Sequence, residues 1–403
     1  MRPTAPSSST AGSSLWRLPG IRQLVLLTLL GFTGYAATLS SLPWWAVRGG
    51  ATPTTAGLVT TVMLGVTVAT QFLVPTLERR LGTGRTLAIG LVLLGAPSPL
   101  YLLASDLGSL LALSAVRGLG FAVLTVLGSA LTAVLAPPGR QGEVVGLYGL
   151  GIAVPIVLVV PGAVALGQNV GFWPVVLLAT FPVLAAPLAL AFGAEHAPAG
   201  EQHETGGRSA GLAAVLPSVV LLAVTLAGGG VLTYVPIERP NGLVATVALL
   251  VLGLTAAIAR WQAGVLADRF GTRLLMPGTV LLGVGGLAAL AVGIWNGSDV
   301  VLVVGAGLFG VAYGAVQNLT LVIAFARARG RGTSAVSAVW NAAFDTGTGS
   351  GAVVVGALAG SGMGVPAAFG VCAAVVALSL PLALASSVRH PHVPPVAPPA
   401  PVS

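Results

Sequence analysis

Asp345 is the residue most able to do chemistry. It sits in a run, 338–356, that otherwise lacks charge: Ala-Val-Trp-Asn-Ala-Ala-Phe-Asp-Thr-Gly-Thr-Gly-Ser-Gly-Ala-Val-Val-Val-Gly. An ionised Asp at the centre of a membrane helix costs about 2.5–3.5 kcal/mol on insertion scales. That cost is tolerated where the carboxyl gains and loses a proton, or where it balances a buried Arg or a helix dipole. Two other ionisable groups lie at depth. Arg117 is about ten residues into its own apolar run, roughly 15 Å along a helix axis. Arg260 is shallower, about two turns before Asp268, and is expected to reach the interface by its long stem. Arg117 and Asp345 can pair directly, pair through water, or stay apart.

Other chemistries find little material. Asp345-Thr346-Gly347 spells an aspartic-protease triplet, but that reaction needs two carboxylates sharing a proton, and no second Asp-Thr-Gly occurs. Cys372 is the only cysteine, which excludes an intrachain disulfide and a thiolate metal cluster. The four histidines, His196, His203, His390 and His392, all lie in polar segments, so no histidine relay crosses an apolar run. Glu195, His196, Glu201, His203 and Glu204 are grouped, but a Gly-containing polar stretch reads as a solvated linker rather than a metal site. No Gly-x-x-x-x-Gly-Lys-Ser/Thr loop exists, because all 18 basic residues are Arg. No cofactor and no metal are expected, and an enzyme's cluster of acid, His or Cys near an interface is missing.

The elements that must position Asp345 follow from composition. Hydrophobic residues make up 55% of the 403-residue chain, charged residues 7%, and mean hydropathy is +0.97. Soluble domains carry roughly 25% charge, so the chain reads as an all-α polytopic membrane protein. Apolar runs near 20 residues cross about 30 Å of hydrocarbon as helix. They fall at about 21–42, 54–77, 85–104, 108–135, 144–166 and 171–192, then 212–237, 243–266, 273–295, 300–326, 334–360 and 365–385. The first could be taken for a signal peptide, but it lacks a small-x-small cleavage site and has a counterpart later in the chain. Organisation is therefore a disordered tail (1–20), a six-span bundle (21–193), a linker (194–210), a second six-span bundle (211–387) and a Pro-rich tail (388–403).

Arginine placement sets the expected orientation. With the N-terminus inside, the inner loops hold Arg79, Arg80, Arg85, Arg140, Arg208, Arg269, Arg273, Arg327, Arg329 and Arg331, against only Arg48 and Arg239 outside. Both termini and the linker are expected in the cytoplasm, in an inner membrane. The net charge of +8 is spread over these short loops and does not point to nucleic acid. The halves also repeat: Gly57-Leu58-Val59-Thr60-Thr61-Val62 returns as Gly242-Leu243-Val244-Ala245-Thr246-Val247. Likewise Arg80-Leu81-Gly82-Thr83-Gly84-Arg85 echoes Arg269-Phe270-Gly271-Thr272-Arg273. Parallel repeats of six spans imply two bundles related by an axis along the membrane normal.

At helical spacing several polar stripes stand out. Thr28, Gly31, Tyr35 and Thr38 align in span one, and Arg117, Phe121, Thr125 and Gly128 in span four. Span ten aligns Tyr313, Gln317 and Thr320 with Asn318 beside them; span eleven aligns Ser337, Asn341 and Asp345 with Trp340 and Phe344 adjacent. Tyr234 lies late in span seven. Such amides and hydroxyls either bridge helices, at about 0.6–2 kcal/mol each, or face a wet cavity.

The loop between spans eight and nine reads Gly264-Val-Leu-Ala-Asp268-Arg269-Phe-Gly271-Thr-Arg273. It resembles the Gly-x-x-x-Asp-Arg-x-Gly-Arg-Arg signature of the major facilitator superfamily, with Thr272 the one departure. In the first half the motif is degraded: Pro75 replaces the Gly and Arg79 takes the Asp position, with Glu78 one residue early. Arg117-Gly118-Leu119-Gly120 resembles that family's arginine motif of span four, and Gly149, Gly151, Pro155, Pro161 and Gly162 resemble the Gly/Pro-rich span five of proton-driven exporters.

The resemblance implies twelve helices in two pseudo-symmetric bundles, a transporter and not an enzyme, and a cavity lined by spans one, four, seven and ten. It places Tyr35, Phe121, Tyr234, Tyr313, Gln317 and Asn318 at the substrate and Arg117 in proton coupling; the polar stripe of span eleven adds Trp340 and Asn341 to the expected cavity, and Asp345, the only carboxylate at membrane depth, is the expected coupling group. It also puts Gly264, Asp268, Arg269, Gly271, Arg273, Glu78, Arg79 and Arg80 at a cytoplasmic gate. The expected activity is proton-coupled efflux of a small organic compound by a monomer in the bilayer, with proton-coupled uptake or facilitated transport as the alternative. A membrane-embedded enzyme or assembly protein is the lesser one.

Overall fold

The computed structural model describes residues 20–104, 106–135, 141–193, 207–240, 243–328 and 333–387. The expectations on the N-terminal tail, most of the linker with its Glu/His group, the C-terminal tail, Arg140, Gly242, Arg329 and Arg331 lie outside these residues, as do the side chains of Arg208, Asp268 and Ser337.

Among the described residues every regular element is a helix. The first half runs α1 (Ile21–Leu39), α2 (Ser41–Arg48), α3 (Pro53–Ala56), α4 (Leu58–Gln71), α5 (Val74–Leu81), α6 (Thr83–Gly95), α7 (Leu107–Leu135), α8 (Gln141–Asn169), α9 (Trp173–Ala179) and α10 (Phe181–Ala189). The second runs α11 (Gly207–Glu238), α12 (Val244–Phe270), α13 (Thr272–Trp295), α14 (Asp299–Ala328), α15 (Thr333–Leu358), α16 (Gly364–Leu378) and α17 (Leu380–Ser386). Many breaks within a span coincide with proline, which removes a backbone donor and clashes with the preceding turn. Pro75 follows the α4–α5 break, Pro182 the α9–α10 break and Pro381 the α16–α17 break.

Among the described residues, ten stretches are long and apolar enough to span a membrane. One of them, Ala338–Ser386, is 49 residues long and turns back at Gly362 (φ 94°) and Gly364 (φ 73°), making two passes; Trp173–Ala189 is a shorter apolar stretch. Together these match twelve passes. The helices are apolar on nearly every side, as expected where both lipid and protein are the solvent. Leu158, Leu184, Leu254, Ile258, Trp261 and Leu281 stay exposed on the outer wall.

Packing divides into two sets. In the first half α4 and α6 lie on α7, and α1 lies on α8 and α10; in the second α11 lies on α15, and α14 on α12 and α13. The sets meet along two seams, α4 with α15 and α8 with α12. At the end remote from the linker the seams are sewn shut. Tyr234 Oη donates to Pro53 O (2.6 Å), Thr61 Oγ1 to Gly349 O (2.5 Å), and Gln168 Nε2 to Pro236 O (3.2 Å) and Arg239 O (3.1 Å). Gly57 permits the close approach, because a Cβ there would collide with the Ala352 carbonyl. Arg239 also pairs with Asp299 at 3.1 Å.

Candidate functional site

Asp345 faces the α4–α15 seam. It is 9% exposed, and its Oδ2 accepts a hydrogen bond at 3.1 Å from Nε2 of Gln71, the last residue of α4. Of the cross-seam hydrogen bonds, this one lies nearest the linker end. Gln71 is held in place because Thr67, one turn earlier, donates to Gly118 O of α7 at 3.0 Å. Tyr35 of α1 and Tyr313 of α14 lie within electrostatic range of the Asp345 carboxyl.

Aromatic rings flank this carboxyl from both halves. Tyr35 stacks flat on Phe121, with centroids 4.1 Å apart and 9° between planes, and Phe32 meets Phe121 edge-on at 5.5 Å. On the other side Tyr313, Phe344 and Trp340 form a chain, 6.3 Å and then 5.9 Å between centroids. Trp340 Nε1 donates to Thr320 Oγ1 at 3.1 Å, so its polar edge is satisfied within the protein. Asn341, one turn from Asp345, is exposed.

Gln317 is buried, and its Oε1 accepts from Arg260 Nη1 at 3.2 Å. Arg260 therefore does not reach for the interface as expected. It turns inward, onto the most polar face of α14. Asn318 packs against Gly264, where a Cβ would lie 3.3 Å from Nδ2, and its Oδ1 is buried without a hydrogen-bond partner.

Two expected residues stand apart from this centre. Arg117 is fully buried in the first half, donating from Nη2 to Gly34 O (2.7 Å) and from Nη1 to Ser98 Oγ (3.0 Å), with its guanidinium 5.6 Å above the Tyr101 ring. No ion pair joins it to Asp345 among the described residues. Tyr234 is also fully buried, and its hydroxyl belongs to the far-end seam, not to the central group.

The loop glycines repeat in conformation as well as sequence. Gly82 (φ 83°, ψ 157°) and Gly271 (φ 77°, ψ 153°) each end one helix and start the next in a region essentially restricted to glycine. Around them Thr83 Oγ1 donates to Glu78 Oε1 (2.7 Å), Arg79 Nη2 to Thr76 Oγ1 (3.1 Å), and the Arg269 guanidinium lies 5.2 Å from the Phe270 ring. Arg80 and Arg273 are exposed.

Sequence reasoning missed Gln71, whose amide lies inside the apolar run 54–77 and whose partner is 274 residues away. It also misjudged Arg260. The available signal was helical phase: Gly253, Ala257, Arg260 and Gly264 share one stripe, turned about 100° around the helix from the apolar stripe of Leu254, Ile258, Trp261 and Val265.

Two helix bundles meeting along two seams, with a charged and aromatic centre between them, define a multi-pass membrane protein of two-bundle architecture. The family profile described as Major Facilitator Superfamily matches residues 24–344. The chain belongs to this superfamily and is a transporter, not an enzyme. No curated protein matches the sequence. Solved structures share the fold. One is a bacterial homolog of the human lysosomal transporter Spinster, inward-facing and occupied, at TM-score 0.72 and 14% identity over 93% of this chain and 97% of that one. Its inward-facing, unoccupied form gives 0.74 and 14%, covering 91% and 96%. The nucleoside transporter NupG gives 0.69 and 12%, covering 91% and 98%.

Proposed function

We propose that this chain is a proton-coupled exporter of a small organic compound, with Asp345 as the coupling carboxyl. The observation that carries the reading is the Gln71–Asp345 hydrogen bond, which crosses a seam that must change between the two access states. A hydrogen bond to an ionised group is worth about 1.5–3 kcal/mol, against about 1 kcal/mol between neutral groups. Protonating Asp345 therefore loosens the seam, and a substrate that needs the ionised carboxyl competes with the proton for it. That competition is antiport.

Arginine placement supports a cytoplasmic linker and termini in an inner membrane. In that orientation the sewn-shut end is external, and the centre opens inward, like the inward-facing neighbours. The group bonded to Asp345 is Gln71; Tyr35 and Tyr313 lie within reach of its charge, and Arg260 within reach of Tyr313. Arg117 supports the cycle by holding its bundle together. The linker-end glycine turns, with Arg79, Arg80, Arg269 and Arg273, form the gate. The first bundle, 21–193, and the second, 211–387, move as the two rocking units of a monomer.

The test is transport into inside-out vesicles with and without an imposed proton gradient. Gradient-driven accumulation should occur with the native chain and vanish in Asp345→Asn, with the protein still inserted and folded. Undiminished gradient-driven flux in that variant refutes the coupling role, and accumulation only in right-side-out vesicles establishes uptake instead.

A further inference from the structure

The centre between the bundles carries two opposite charges that are not spent on each other. Asp345 is hydrogen-bonded to a neutral amide, Gln71, and Arg260 to a neutral amide, Gln317. Among the described residues neither forms an ion pair, although both act on the Tyr313 hydroxyl from opposite signs. An uncompensated charge at membrane depth is expensive unless water or a ligand meets it.

Arg260 is exposed, and helical phase shows to what. Its stripe on α12 begins at Gly253, which packs against Val157 of α8 in the first bundle, and ends at Gly264 against Asn318 of α14. The lipid stripe is elsewhere: Leu254, Ile258, Trp261 and Val265 are 43%, 56%, 69% and 55% exposed. Arg260 therefore lies away from the lipid stripe, against Gln317 of α14 and on the side of α12 that meets the first bundle at Gly253. Its fork has donors beyond the one used on Gln317, and planar two-oxygen anions match that geometry. Tyr313, Phe344 and Trp340 supply an adjoining wall of aromatic rings.

A purely anionic ligand at Arg260 would be repelled by ionised Asp345, and a purely cationic one at Asp345 by Arg260. A neutral ligand leaves both charges to be desolvated without return. We infer that the transported compound is a zwitterion with an apolar, aromatic-compatible body, its carboxylate bound by Arg260 and its ammonium by Asp345. This deepens the antiport reading and rests on it: the ammonium and the proton are rivals for one carboxylate, while Arg260 holds the other end of the substrate.

The experiment measures calorimetric binding of three matched probes to the purified full-length chain in detergent: phenylalanine, phenethylamine (ammonium only) and 3-phenylpropionate (carboxylate only). Phenylalanine should bind at least about tenfold more tightly than either analogue, since each charge adds a charge-assisted contact. Arg260→Gln should erase its advantage over phenethylamine, Arg260→Lys should retain part of it, and Asp345→Asn should erase its advantage over 3-phenylpropionate. The comparison on the native chain requires no variant to fold. Phenylalanine binding no tighter than either analogue overturns the inference, as does a preference that survives in folded Arg260→Gln. Persistent gradient-driven flux in Asp345→Asn refutes coupling and leaves the binding order standing; an unfavourable binding order with coupling intact overturns the zwitterion alone.

Discussion

Tyr234→Phe isolates the far-end seam. The substitution keeps the ring and removes one hydroxyl, the donor to Pro53 O at 2.6 Å. Tyr234 is fully buried while the seam is shut, so the ring's packing is unchanged and the difference reduces to the hydrogen bond. When the far end opens, Pro53 O takes water instead, so the bond's net worth appears directly in the equilibrium between the two access states. A net intramolecular hydrogen bond is about 0.5–1.5 kcal/mol, which multiplies the far-end-open population about two- to thirteenfold. Gln168→Ala removes two further cross-seam donations, to Pro236 O and Arg239 O. Because the two sites share no partner, the shift in the double variant should equal the product of the singles to within about 0.5 kcal/mol. The assay is pulsed electron paramagnetic resonance in nanodiscs, with spin labels at Val170 and Leu243, which are 59% and 60% exposed at the far end on opposite sides of the α8–α12 seam. The single native thiol, Cys372, is removed as Cys372→Ala. An unchanged long-distance fraction in both single variants, or a fall, refutes the reasoning that these bonds hold that face shut.

Two further outcomes follow from the loops. Gly271→Ala places a Cβ at φ 77°, ψ 153°, where backbone strain costs about 1–3 kcal/mol, so the melting temperature in detergent should fall; an unchanged value would show that the turn relaxes freely. Asp106 caps α7 by accepting from Ser109 N (2.9 Å) and Ser109 Oγ (2.5 Å), and these bonds hold its carboxyl below 3.8. A depressed carboxyl stabilises above its unfolded value and loses that contribution as pH falls through its folded one. Amide exchange at the start of α7, corrected for intrinsic rate, should therefore rise only on the acid side of 3.8, and Asp106→Asn should abolish that pH dependence.

Much of the architecture was legible because lipid imposes a simple rule: apolar runs of the right length become helices; the breaks at Pro75, Pro182 and Pro381 were not, since Pro155, Pro161 and Pro277 lie inside unbroken helices. Asp345 was legible for the same reason, as a charge in a place that penalises charge. What could not be read was azimuth and partnership. Depth along a helix suggested that Arg260 would reach outward; its stripe and Gln317 turn it inward. Tyr234 was expected at the substrate, yet a chemically similar tyrosine serves equally well as a clasp, and only its contact with Pro53 distinguishes the roles. Arg117 and Asp345, which the sequence left free to pair or to stay apart, belong to different bundles and different partners.

Arg117 has a mechanical consequence. Its guanidinium grips a backbone carbonyl of α1 and the Ser98 hydroxyl, and Ser98 in turn donates to Ala179 O at the end of α9. One side chain thus works as a rivet through four segments, in a place where each freed polar atom would face hydrocarbon. A riveted bundle transmits torque without bending. Sliding α1, α7 and α9 past one another would have to break these buried bonds, whereas parting the halves has to break only the seam contacts.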